Sequence, residues 1–223
     1  MMREPRPCIV WGAKGHAKAV FDIIKQEGGW IDHFFDNDSS VASPIATVPI
    51  SYGMAGLIQF VESLPKRNCE PSQFDFVCAI GGNHGDDRIR LGEELMQMGF
   101  APRNLIHRSA VISSLATIGS SCQFMAGSIV GPFVSMGNFS IANSGSSIDH
   151  ECIIGEGSHI APMATLAGEV HLGRNVFVGL NATVLPRVSI GDGAVIGAGA
   201  VVTKNVPKGA VMIGSPARER SKP

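Results

Sequence analysis

Several things are scarce in this chain, and each shortage excludes a class of protein. There is no basic excess: 18 Lys and Arg against 19 Asp and Glu leave a net charge of −1, which does not suit a nucleic-acid binder. No apolar run approaches the roughly 18 residues of a membrane span. Met1 to Pro7 carries no apolar signal core, so no secretion leader is expected there. The five cysteines are odd in number and include no CxxC pair, which points to reduced thiols and a cytoplasmic setting rather than a disulfide framework. Aromatic residues make up only 6% of the 223 residues, whereas glycines number 27. Such a chain suits a narrow interior filled by aliphatic and small side chains.

That interior is visible as a period. From Ile106, every sixth residue is apolar: Ile112, Ile118, Phe124, Val130, Met136, Ala142, Ile148, Ile154, Ile160, Leu166, Leu172, Val178, Val184, Ile190, Ile196 and Val202. Four residues after each stands a small or β-branched residue, among them Cys122, Ser140, Ser146, Cys152, Ser158 and Ala164. A period of six is neither the 3.6 of a helix nor a plain alternation. It is the mark of hexapeptide repeats, each forming one short side of a triangular β-helix with coils stacked about 4.8 Å apart. The apolar residue points inward and the small one sits where the chain rounds a corner. Cys122 and Cys152 take the small inward positions and read as core thiols.

The first hundred residues have a different grammar. Pro7 to Trp11 reads as a buried strand running into Gly12-Ala13-Lys14-Gly15-His16-Ala17-Lys18. Ala17, Val20, Phe21 and Ile24 then mark one helical face, stopped by Gly28-Gly29. Trp30 to Phe35 is a second strand ending in Asp36-Asn37-Asp38. Strand, glycine turn, helix, strand and acid open a nucleotide-binding βαβ unit, in which helix N–H groups approach a phosphate and the acid accepts ribose or sugar hydroxyls. The full GxGxxG is absent, so a tight turn without a ligand fits these residues equally well. A helix is expected over Ala55 to Leu64 and a strand over Phe74 to Ile80, followed by Gly81-Gly82-Asn83-His84. Asp86 is the expected N-cap of a helix carrying Leu91, Leu95 and Met98. Pro102 marks the boundary, giving an α/β domain over residues 1–102 and a β-helix with its C-terminal tail over residues 103–223.

Among the histidines, His33 and His107 read as surface or packing residues, while His16, His84 and His171 are weaker ligand candidates. His150 stands out in Ser146-Ser147-Ile148-Asp149-His150-Glu151-Cys152. It falls at a corner with a carboxylate on each side, one of which can fix a ring nitrogen and suit the other to general-base work. A solvated histidine between two solubilising acids fits the local sequence as well. His159 falls on the next side of the prism, so the two rings diverge. A shared site would need a neighbouring subunit, as in a closed trimer. One coil beyond His150 stands Gly168, expected to leave a gap and an approachable N–H beside the ring.

With these residues in hand, the chain resembles the bacterial sialic-acid O-acetyltransferases and the related nucleotide-sugar N-acetyltransferases that acylate 4-amino sugars for surface glycans. The likeness spans essentially the whole chain, through Gly12 to Lys18, Ile148-Asp149-His150-Glu151-Cys152-Ile153-Ile154-Gly155, Val201-Val202-Thr203-Lys204-Asn205-Val206-Pro207 and Gly214-Ser215-Pro216-Ala217-Arg218. It implies a left-handed β-helix after a Rossmann-like domain, a homotrimer, acetyl-CoA as co-substrate and no metal. It also implies roles: His150 as catalytic base, Glu151 tuning it, and Asn143 near the reacting group. His159, Gly168, Leu180 and Ala198 would line the acetyl-CoA cleft; Gly15, His16, Ala17, Asp36 and Asn37 would hold the nucleotide sugar. The expected reaction is N-acetylation of a nucleotide-linked 4-amino sugar, with O-acetylation of a sialic-acid-type sugar as the alternative. A zinc enzyme of the γ-carbonic-anhydrase type, with His150, His159 and His171 as ligands, and a non-catalytic trimeric scaffold are the outlying readings. Lys204, Lys208, Arg218 and Arg220 suit either CoA phosphates or solvent.

Overall fold

The computed structural model describes residues 6–220; Met1 to Pro5, on which most of the leader expectation rests, lie outside the described residues. The chain divides into two compact units, residues 1–80 with 90–105, and residues 81–89 with 106–223.

The first unit is built on a parallel sheet of strands β1 (Pro7–Trp11), β2 (Trp30–Asp36), β3 (Ile50–Tyr52), β4 (Asp75–Cys78) and β5 (Ala101–Pro102), in the order β3-β2-β1-β4-β5. Cys8 to Trp11 are all buried, as a central parallel strand covered on both faces requires. Helix α1 (Gly15–Gln26) buries Ala17, Val20 and Ile24 as the spacing anticipates, but Ile23 is buried where Phe21 was expected, and Phe21 is only half-buried. Helix α2 (Gly53–Ser63) starts two residues earlier than expected and passes into a 3-10 turn over Leu64–Arg67. The sequence reading missed β3, a three-residue strand at the sheet margin, too short to show an alternation. Phe35, Phe60 and Phe74 pack edge to face in one layer, with centroids 5.6 and 5.7 Å apart. Trp11, buried, stacks on Phe35 at 5.5 Å.

The second unit is the β-helix. Its repeat strands up to Val201–Val202 are two residues long and stack in parallel three repeats apart; Ser147–Ile148, for example, lies between Ile129–Val130 and Thr165–Leu166. This produces three sheets, one per side of the prism. The inward residues Phe124, Val130, Ile148, Ile160, Leu166 and Ile196 form one continuous core, each worth roughly 1.5–3 kcal/mol on full burial. Two of the serines inside this column bond backbone, the Ser140 and Ser158 hydroxyls donating to Gly155 O at 3.1 Å and Gly173 O at 2.9 Å, whereas the buried Ser128 and Ser146 hydroxyls have no partner among the described residues.

Residues 81–89, read from sequence as part of the first domain, group with the β-helix instead. The reason is Arg88, fully buried, whose guanidinium donates to the carbonyls of Phe139 and Gly157. The same segment is tied by Gly85 N–H to Asn175 Oδ1, 2.8 Å. Asp86 departs from the expected N-cap role. It lies inside the first turn of helix α3 (Gly85–Gln97), and its carboxylate accepts from Asn175 Nδ2 at 2.8 Å and pairs with Arg174 at 3.3 Å. Among the described residues, no helix is long and apolar enough to cross a membrane.

Candidate active site

His150 follows the strand Ser147–Ile148 and precedes Glu151, whose φ of 57° turns the corner. The ring's Nδ1 lies 3.0 Å from Glu151 Oε2. A carboxylate only accepts, so it fixes the proton on Nδ1 and leaves Nε2 as the nitrogen with a lone pair. Asp149 does not share this task, because its Oδ1 accepts the His150 backbone N–H at 2.7 Å. The expected gap at Gly168 does not exist. A Cβ on Gly168 would lie 2.5 Å from both Cε1 and Nε2 of His150, so the glycine is a plate on which the imidazole rests. Gly168 is correspondingly buried. Pro132 and Pro186, one coil below His150 and one above Gly168, have no N–H to offer. Among the described residues no backbone carbonyl takes the Gly168 N–H.

His159 is arranged differently. It is only 4% exposed, under the Gly81-Gly82 turn, with Nδ1 3.1 Å from Gly82 O and Nε2 2.9 Å from Asn143 Nδ2. Asn143 Oδ1 accepts the Ser144 N–H at 2.8 Å, which orients its amide so that Nδ2 faces the ring. A carbonyl at Nδ1 and an N–H at Nε2 make this a neutral, fully committed imidazole. Phe177 packs edge-on to it at 5.3 Å. Leu180 and Ala198 are exposed and stand one coil apart on the corner that also holds Ser144, the neighbour of Asn143. The structure thus brings the candidates into two groups, His150 with Glu151 and Gly168, and Asn143 with His159, on different corners of one prism. Neither Gly82 nor Arg88 was picked out from sequence as supporting the second group; the only signal was the Gly-Gly pair after a strand.

In the first unit, Gly12 (φ +99°) closes against β4, where a Cβ would be 2.6 Å from Ala79 O. Gly15 and His16 open α1, whose first turn has no side-chain cap. Ala17 is fully buried, with its N–H 3.1 Å from Lys14 O, and packs the helix. Asp36 holds the turn together. Its two oxygens accept Ala13 N–H at 2.8 Å and Asp38 N–H at 3.0 Å, fastening the glycine turn to the end of β2, with Asn37 exposed beside it. The Ser40 hydroxyl, Lys14 and the Ser40 N–H together pull the Asp38 carboxyl down to about 2.

Within one chain the zinc reading finds no ligand cluster among the described residues, and the core-thiol reading of Cys152 holds. His150, His159 and His171 belong to different sides of the prism, and among the described residues no three His, Cys, Asp or Glu side chains cluster as metal ligands. Cys152 is buried with Sγ 3.2 Å from Ala167 O, and burial pushes its thiol up to about 11, so it is no nucleophile.

Comparison with known proteins finds a match at each end of the chain. Residues 8–90 match the PglD N-terminal domain, and residues 169–204 match the bacterial transferase hexapeptide (six repeats). PerB from Caulobacter crescentus, solved in complex with CoA and GDP-perosamine, superposes with a TM-score of 0.84 and 30% identity, over 96% of this chain and 97% of that one. The chain belongs to the left-handed β-helix hexapeptide acetyltransferases that carry a PglD-type N-terminal domain. The acetyltransferase domain of PglB from Neisseria gonorrhoeae is similar at a TM-score of 0.83 and 27% identity, covering 96% of this chain and all (100%) of that domain. A GDP-perosamine N-acetyltransferase of Escherichia coli O157:H7 is 36% identical over 143 residues, which is 59% of this chain and 62% of that relative's length. The left-handed coil and the α/β unit before it are those of the family.

Proposed function

We propose that this acetyltransferase moves the acetyl group of acetyl-CoA onto the amine of a nucleotide-linked 4-amino sugar, in one ternary complex, with His150 as general base. The observation that carries the proposal is the His150–Glu151 pair: Nδ1 held at 3.0 Å, the ring seated on Gly168, and Nε2 left with its lone pair. The amine nitrogen forms a bond to the thioester carbon while its proton passes to Nε2. The tetrahedral intermediate then breaks its C–S bond, and the proton leaves with the CoA thiolate. The Gly168 N–H, which has no backbone acceptor among the described residues, serves the oxyanion. Asn143, steadied by His159, borders the reacting group. Leu180 and Ala198 give the pantetheine arm an apolar wall, and Gly15, His16 and Asn37 meet the nucleotide sugar.

The GDP-perosamine held by the Caulobacter relative makes a GDP-linked amino sugar the first acceptor to try. Because His150 and Asn143 stand on different corners, we place the complete site between subunits of a homotrimer working in the cytoplasm on glycan precursors. The test is a thiol-release assay with acetyl-CoA and GDP-, UDP- and dTDP-linked 4-amino sugars beside sialic acid. Turnover of one amino sugar alone is expected. Turnover of sialic acid alone would replace this reading with O-acetylation.

A further inference from the structure

Three large apolar side chains of the β-helix adopt left-handed backbone: Phe133 at φ 60°, Phe139 at 59° and Met163 at 61°. That conformation is unfavourable for a bulky residue and persists where something offsets it. For Phe139 the offset is burial, at 2% exposure. For Met163 it is contact over Gly145, where a Cβ would lie 2.4 Å from the methionine sulfur. Phe133 is instead 64% exposed, at a corner whose left-handed backbone Glu151, Glu169 and Arg187 repeat in the following coils.

Its position is informative. The Glu151 N–H donates to Pro132 O at 3.0 Å, so the Phe133 corner is stacked directly beneath the His150–Glu151 corner. On the other side of His150 the space is taken. The imidazole lies on Gly168, and Glu169 beyond it is paired with Arg187 at 2.8 Å. If the acetyl carbonyl meets the Gly168 N–H, the molecule that brings the amine to Nε2 must spread over the opposite, N-terminal side. There the surface is apolar: Phe133, with Leu115 one coil further down, 56% exposed.

We infer that Phe133 is a specificity-determining residue, an aromatic platform for the C–H face of the acceptor's sugar ring. This rests on the acetyl-transfer reading above. An aromatic ring suits the task because it offers a large, rigid apolar face next to a reaction centre that is otherwise polar. Glycine would be the easier residue for this backbone, so keeping phenylalanine there sacrifices stability for binding.

The test compares Phe133→Gly and Phe133→Tyr with wild type. For the glycine variant the expected result has three parts: KM for the amino-sugar nucleotide rises about tenfold, KM for acetyl-CoA stays put, and Tm is equal to or above wild type because the strain is gone. Phe133→Tyr keeps the acceptor KM. Acceptor binding to all three proteins by calorimetry gives the same comparison without turnover. A wild type that binds and acetylates no amino sugar defeats the acetyl-transfer reading and this inference with it. An active wild type with an unchanged acceptor KM in Phe133→Gly, or a rise for acetyl-CoA instead, defeats the inference alone. A lower Tm with a smaller assembly in light scattering would also overturn it, making Phe133 a subunit contact.

Discussion

His150 and His159 stand close together in the sequence of one solenoid, yet the fold gives them opposite chemistry. His150 is half-exposed at a corner, with one nitrogen fixed by a carboxylate and the other without a partner among the described residues. His159 lies under a turn of chain with both nitrogens bonded, to Gly82 O and Asn143 Nδ2. Only the first can take a proton from a substrate without breaking a bond within the protein. The second can orient its neighbour. What a histidine does here is decided by what occupies its second nitrogen.

The comparison can be broken most directly at His150. His150→Ala is expected to lower kcat by 10²–10⁴-fold, about 3–5 kcal/mol of barrier, with Tm nearly unchanged because the side chain is half-exposed. An unaltered turnover rate would end its role as base. Gly168→Ala tests the plate beneath the ring. The new Cβ would lie only 2.5 Å from Nε2 and Cε1, so the ring must swing away, and kcat should fall about 10²-fold while acetyl-CoA still binds. Arg88→Met probes the other histidine from below. Two buried carbonyls lose their donors and the Gly81-Gly82 turn loses its anchor, so unfolding in urea should show a loss of about 2–4 kcal/mol.

His159→Ala should be milder in rate than His150→Ala, about tenfold in kcat, since it only releases Asn143. A loss as deep as that of His150→Ala would erase the distinction drawn between them. The smallest effect concerns His33, a third kind of histidine. Burial, aided by Arg67 and opposed by Asp32, lowers its pKa below the ordinary 6.5. The unfolded chain therefore binds the proton more readily. His33's contribution is intact above about pH 6.5 and is lost as the pH falls below it. Tm should decline through that range on acidification, and less steeply in His33→Gln.

Much of this was legible without coordinates. The repeat from Ile106 to Val202 had to be a prism, because a six-residue apolar period fits no other regular backbone. The His150–Glu151 pair was legible because its two members are adjacent in the chain. The parts that escaped share a cause. Asp36 was read only as a hydroxyl acceptor, and its bond to the Ala13 N–H, distant in sequence, was not foreseen. Asp86 looked like a cap, yet Asn175 draws its carboxylate outward. Gly168 looked like a gap until the ring of His150 filled it.

The sequence by itself therefore determined the architecture and the pairing of His150 with Glu151, since both depend on spacings within one repeat or between neighbours. Only the tertiary structure decided which polar groups remain available. Hydrogen-bond capacity is finite, and whether a carboxylate or an imidazole has already been satisfied depends on chain that arrives from far along the sequence, as Gly82 does at His159.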